Sequence, residues 1–144
     1  MRNVCIWMVL FNLAAFGAAR DESVEDLKSR VQNAAPQERI DICVRIAELQ
    51  LRSADKSYVN GDIERARAAV DDIVTFSEKA HDSSIETRKH LKNTEIAIRK
   101  ISDKLKDIKR TLAFDDQPHV QRAIERLEDL RTSLLKEMFK KERK

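Results

Sequence analysis

Residues that break helices are almost missing from this chain. Outside the first nineteen positions Gly61 is the only glycine, and Pro36 and Pro118 are the only prolines. A sheet protein needs frequent turns, and so few turn formers exclude a sandwich or barrel. Aromatics are equally scarce: Trp7 is the sole tryptophan and Tyr58 the sole tyrosine. With few aromatics for base stacking, and with export expected from the first segment, no nucleic-acid partner is expected. Cysteine appears twice, as Cys5 and Cys43. If the first segment is removed, one thiol remains and no internal disulfide can form. No H-E-x-x-H, C-x-x-C or C-x-x-C-H run occurs, which excludes zincin, thioredoxin-like and c-type haem chemistry. There is no glycine-flanked serine turn and no glycine-rich phosphate loop, so the expectation is a protein that is not an enzyme.

Charge and amphipathic pattern are what the chain does have. Charged residues make up 37% of it, against about 25% in ordinary soluble domains, a balance that suits long solvent-exposed helices.

Residues 1–19 read as a secretory signal peptide. Arg2 supplies a positive start, Val4 to Phe16 an apolar run, and Ala14, Ala15, Gly17, Ala18 and Ala19 the small residues a peptidase needs, for cleavage before Arg20 or before Ala18. The run is shorter than the ~20 residues that cross a bilayer as a helix. Export to the periplasm or beyond is therefore expected, an uncleaved membrane anchor being the alternative.

Residues 20–144 read as a single all-α domain, an antiparallel bundle of four to five helices ending in a long coiled-coil-like hairpin. Val24, Leu27 and Val31 mark a first helix that ends at Asn33 to Pro36. Ile40, Cys43, Ala47, Leu51, Ala54 and Tyr58 mark a second, reaching about Val59. On that face Cys43 is expected to be buried as a small apolar side chain, rather than joined to a second chain. Asn60-Gly61-Asp62 is the clearest turn. Ile63, Ala66, Val70 and Ile73 continue a third helix to about Ala80-His81. Ser83-Ser84-Ile85-Glu86 has the form of a capping box and predicts the start of a fourth, the longest. Leu91, Thr94, Ile98, Ile101, Leu105, Ile108 and Leu112 then alternate steps of three and four, as a coiled-coil seam does. After a break at 113–118, Val120, Ala123, Ile124, Leu127, Leu130, Leu134 and Met138 form a fifth stripe. Each hairpin arm is expected to be about 40 Å long, with Lys136 to Lys144 fraying.

Ala54, Tyr58, Gly61, Asp62, Ile63 and Ala66 together resemble the middle of a tetratricopeptide repeat, where small residues, an aromatic and Gly-Asp knit two antiparallel helices. The resemblance covers roughly residues 40–80. It departs at Ser53 and Glu78, and no second copy follows in register, since 34 residues beyond Gly61 lies Glu95. It implies a helix hairpin without the concave peptide groove that several repeats build.

Glu86 and His90, with Asp82 or His81 nearby, are the only conceivable metal or small-molecule cluster, and their spacing is not that of a metal site. No cofactor is expected. Charge is divided unevenly. Residues 21–82 hold 14 acids and 9 bases, a net of −5, while residues 83–144 hold 11 acids and 17 bases, a net of +6. Arg88, Lys92, Arg99, Lys100, Lys104, Lys106, Lys109 and Arg110 concentrate the positive charge and form the candidate surface for an anionic partner. Complementary packing between the acidic and basic halves is the competing explanation.

Together these features predict an exported, non-catalytic binding or scaffold protein of the cell envelope. Its partner would be another protein or an anionic envelope polymer or lipid, and a homodimer could form if the seams exceed what one chain covers. An envelope stress chaperone, though without the paired L-T-x-x-Q motifs of known examples, and a bundle with an interior ligand site are the alternatives. Membrane contact would follow from an uncleaved leader, with 134–141 as a lesser candidate.

Overall fold

The computed structural model describes residues 22–140, so the leader lies outside it. Five helices and no strand occur among the described residues: α1 (Val24–Asn33), α2 (Pro36–Val59), α3 (Ile63–Thr87), α4 (Leu91–Thr111) and α5 (Gln117–Lys140). The all-α expectation holds.

Local chemistry sets most of the boundaries. Ser23 starts α1 by accepting the Asp26 N–H at 3.2 Å. Pro36 opens α2, where its missing N–H has no helical partner to lose. At the far end Gly61 takes φ +76°, while the Gly61 and Asp62 N–H groups donate to the carbonyls of Tyr58 and Ser57. The Asp62 carboxylate then caps α3 through the Arg65 N–H at 3.3 Å.

The expected boundary at Ser83 is wrong. Here α3 runs on to Thr87 and, at 25 residues, is longer than α4 at 21. Ser83 and Ser84 are buried inside α3 rather than capping a new helix, and Ser84 Oγ lies 2.8 Å from Thr94 Oγ1 of α4. The reversal is made by Arg88 (φ 54°) and His90 (φ 59°), both left-handed without being glycine. A β-carbon in that conformation costs on the order of 1 kcal/mol, so nothing in the sequence announces the turn. At 1.5 Å per residue α4 is about 32 Å long, shorter than expected. α5 continues to Lys140, so the first part of the tail is helical, and the rest of the segment expected to fray, 141–144, lies outside the described residues.

Polar contacts fix the directions of the helices. Between α4 and α5 they run Glu95 to Arg131, Ser102 to Glu128 and Lys109 to Gln121, so one chain climbs as the other descends. α2 and α3, the first hairpin of the chain, are antiparallel around the Gly61 turn, with Gln50 of α2 donating to Asp72 of α3. Across the two hairpins the order is parallel. Asp55 meets Lys104 of α4, while Arg67, Glu78 and His81 of α3 meet Asp116, Arg126 and Ser133. These partners stand 48 to 52 positions apart, so the second hairpin lies beside the first in nearly constant register. The bundle is thus a short stack of two hairpins, with α1 laid on the free flank of the first. Lys28 of α1 reaches Asp72 of α3 at 2.6 Å.

One continuous apolar core joins the layers, running from Leu27 and Val31 through Ile46, Ala54, Ala66 and Ile73 to Ile98, Leu105, Leu127 and Leu134. Ile98, Ile101, Leu105 and Ile108 are essentially inaccessible. The chain's own core therefore covers the middle of the α4 seam, while Leu91 and Leu112 at its two ends are partly buried. Cys43 is fully buried, and desolvation raises its thiol to about 11.

Candidate functional surface

The basic residues of α4 and of the turn before it divide among four environments. Arg88, in the turn, holds Glu137, and Arg110 holds Asp107 at 3.0 Å. Lys104 faces Asp55 of α2 at 3.9 Å. Lys106 and Lys109 lean toward α5, to Glu128 at 3.1 Å and Gln121 at 2.7 Å. Lys92, Arg99 and Lys100 are exposed and pair with no described acid. Lys92, Arg99 and Lys106 recur at seven-residue steps, which places them in one line along the helix.

Beside that line the hairpin is closed by polar groups. Glu95, Ser102 and Lys109 recur every seven residues on the edge of α4 that faces α5. The Arg131 guanidinium sends Nε and Nη2 to one oxygen of the buried Glu95, at 3.0 and 2.9 Å, and Nη1 to Glu128 at 2.7 Å. Glu128 also accepts from Ser102 at 2.6 Å and from Lys106. Burial pushes the Glu128 carboxyl up, but the bonds from Ser102 and Lys106 and the Arg131 charge outweigh it and leave it below the usual range. Hydrogen bonding to Glu128 holds the Lys106 ammonium charged. A stack of hairpins must end in a polar face to stay soluble, and this network supplies one.

All three histidines sit where the hairpins meet. His90 Nε2 lies 3.2 Å from Gln37 Nε2. His119 Nε2 is 3.0 Å from Asp71 but off the line required for a hydrogen bond. His81 lies between Asp82 and Ser133, 2.8 Å from each. That is an acid–imidazole–hydroxyl chain, which sequence spacing did not disclose. Ser133 nonetheless lies within α5, where backbone N–H groups are spent on helical bonds, and acyl transfer needs donors free to meet an oxyanion. The chain is best understood as a polar tie between α3 and α5.

Glu86 and His90 do not converge. The left-handed turn between them breaks the i, i+4 relation, sending His90 toward α2, while Glu86 lines an open cleft of about 320 Å³ with Val31, Arg39, Lys79 and Asp82. No group of three or more histidine, cysteine or acidic side chains able to hold a metal occurs among the described residues. No described helix is long and apolar enough to cross a membrane.

At the Gly61 turn Ala54 and Ala66 are fully buried and Tyr58 nearly so, so small side chains lie between α2 and α3 there. Comparison with protein-family models, with curated proteins and with solved structures finds no match for the chain.

Proposed function

We propose that this is an exported, non-catalytic binding or scaffold protein that meets an anionic partner of the cell envelope on the outer face of its last hairpin. The observation that carries this is the line of Lys92 and Arg99, exposed and without a described acid, beside a seam whose own acids are already neutralised by Arg131 and Lys106. Cations left unpaired keep their long-range field for an outside anion, whereas paired surface charges largely cancel. The two halves complement each other only in part: Lys104 and Arg126 meet Asp55 and Glu78 across the hairpins, but Lys92, Arg99 and Lys100 do not. The leader-like first nineteen residues support placement outside the cytosol.

Titration with a soluble polyanion such as polyphosphate, followed by fluorescence anisotropy at rising salt, tests the idea. Binding should weaken steeply with salt, and Lys92→Glu with Arg99→Glu should weaken it by about ten-fold or more. Equal affinity in the reversed variant would contradict it.

A further inference from the structure

The outer face of the last hairpin also holds an apolar spot that the line of cations does not explain. Leu135 and Phe139, with Thr132, Lys136 and Lys140, line an open cleft of about 430 Å³ near the end of α5. Phe139 is 61% exposed, in a helix whose other large apolar side chains are at least half-buried. A ring of that size in water forfeits most of its possible burial, about 1.5–3 kcal/mol.

The surroundings of this spot are basic. Lys136 and Lys140 line it directly. Lys92 belongs to the same face: Glu95 meets Arg131, so one turn back along α4 and one turn on along α5 bring Lys92 level with Leu135. The single acid in this stretch of α5, Glu137, is turned aside. Its side chain is 14% exposed and is held by Arg88 of the α3–α4 turn and by Lys140. The bond from Arg88 keeps the Glu137 carboxyl below the usual range, so it stays charged and paired. The one acidic side chain between Thr132 and Lys140 is therefore withdrawn from the surface that would meet a membrane.

We infer that this end of the final hairpin docks on the surface of an anionic lipid bilayer, with Phe139 and Leu135 entering the headgroup region and Lys92 and Lys136, unpaired among the described residues, meeting lipid phosphates. An exposed aromatic ringed by lysines is the arrangement that combines apolar insertion with attraction to negative headgroups. Lysine stems lie along the apolar surface while their ammonium groups stay at phosphate level. No transmembrane segment and no retained leader are needed for this contact. It deepens the proposed function by naming the anionic partner as lipid.

A full-chain double variant isolates the site. Trp7→Phe removes the only tryptophan, and Phe139→Trp places the single reporter in the patch. With vesicles containing phosphatidylglycerol, its emission should move to shorter wavelength and its quenching by acrylamide should fall, while pure phosphatidylcholine vesicles should leave both unchanged. Lys92→Glu with Lys136→Glu should weaken binding to the anionic vesicles by about ten-fold or more, at about 1 kcal/mol per lysine near such a surface. Vesicle binding with an unshifted, fully quenchable reporter would overturn the inference yet leave the polyanion surface of Lys92 and Arg99 standing. A shift that appears without vesicles and grows with protein concentration would assign the patch to a second copy and also overturn it. Failure to bind both vesicles and polyphosphate would remove the inference and the proposed function together.

Discussion

The two hairpins are assembled from different materials. The α2–α3 hairpin interleaves buried small side chains, Cys43, Ala47, Ala54, Ala66 and Ala69, with larger ones such as Ile46 and Ile73, and its turn is a glycine in the left-handed conformation that glycine tolerates. The α4–α5 hairpin closes on large ones, Ile98, Ile101, Leu105, Leu127 and Leu134, and is entered by a turn with two strained non-glycine residues. The first hairpin is covered on both flanks, by α1 and by the second hairpin, so its helices can approach closely and bury nearly everything between them. The second is covered on one flank only. Its free edge carries the Glu95–Arg131–Glu128 network and, where that network stops, Leu135 and Phe139. Polar sealing accompanies the uncovered flank, whereas apolar exposure occurs in both hairpins, at Val59 of the first as well as at Phe139 of the second.

Core substitutions should break this contrast most strongly. Leu105→Ala should cost about 2–5 kcal/mol through lost burial and an unfilled cavity. Ala66→Leu should cost about 1–3 kcal/mol by the opposite cause, since the first hairpin has no space for the added atoms. Urea denaturation of both variants checks the pair. A harmless Ala66→Leu would mean that the helices of the first hairpin are not closely apposed.

A smaller effect is expected at the seam. Arg131→Ala leaves the buried Glu95 carboxylate without its partner and should cost about 1–3 kcal/mol. Replacing both, as Glu95→Leu with Arg131→Met, should recover much of that loss, because a buried ion pair often stabilises no better than apolar residues of similar size. If the double variant is as unstable as the single one, the network does more than seal an edge.

The smallest effect is the dependence of stability on pH. Glu128 and Glu137 have folded-state values below the ordinary 4.5. A depressed carboxyl contributes stability that is present above its unfolded value and lost as the pH falls through the folded one. The urea midpoint should therefore decline below about pH 4.5. Glu128→Gln should lower the midpoint at neutral pH and flatten the decline. An unchanged slope would mean that Glu128 is not held as described.

Much of the fold was legible because the apolar steps are regular. Thr94, Ile98, Ile101, Leu105 and Ile108, and Val120, Leu127 and Leu134, are buried as their spacing requires. The α3–α4 boundary was not legible, since Ser83 and Glu86 imitate a cap while Arg88 and His90 give no sign of left-handed backbone. The stacking of hairpins was hidden for a different reason: its partners are tied by scattered polar pairs such as Asp55 with Lys104, not by a repeated motif. Of the candidate surface, the basic residues were visible as composition. Which of them stay unpaired depends on the facing helix, as does the withdrawal of Glu137 by Arg88.

Cross-linking with a water-soluble carbodiimide, which joins lysines to carboxylates already in contact, tests the two-hairpin stack most directly. Mass spectrometry of the cross-linked monomer should find Asp55 joined to Lys104 across the hairpins, together with Lys28 to Asp72 and Lys106 to Glu128. Links within each hairpin but none between Asp55 and Lys104, or Lys104 joined instead to an acid near the start of α2, would contradict the parallel register of the hairpins on which the outer face depends.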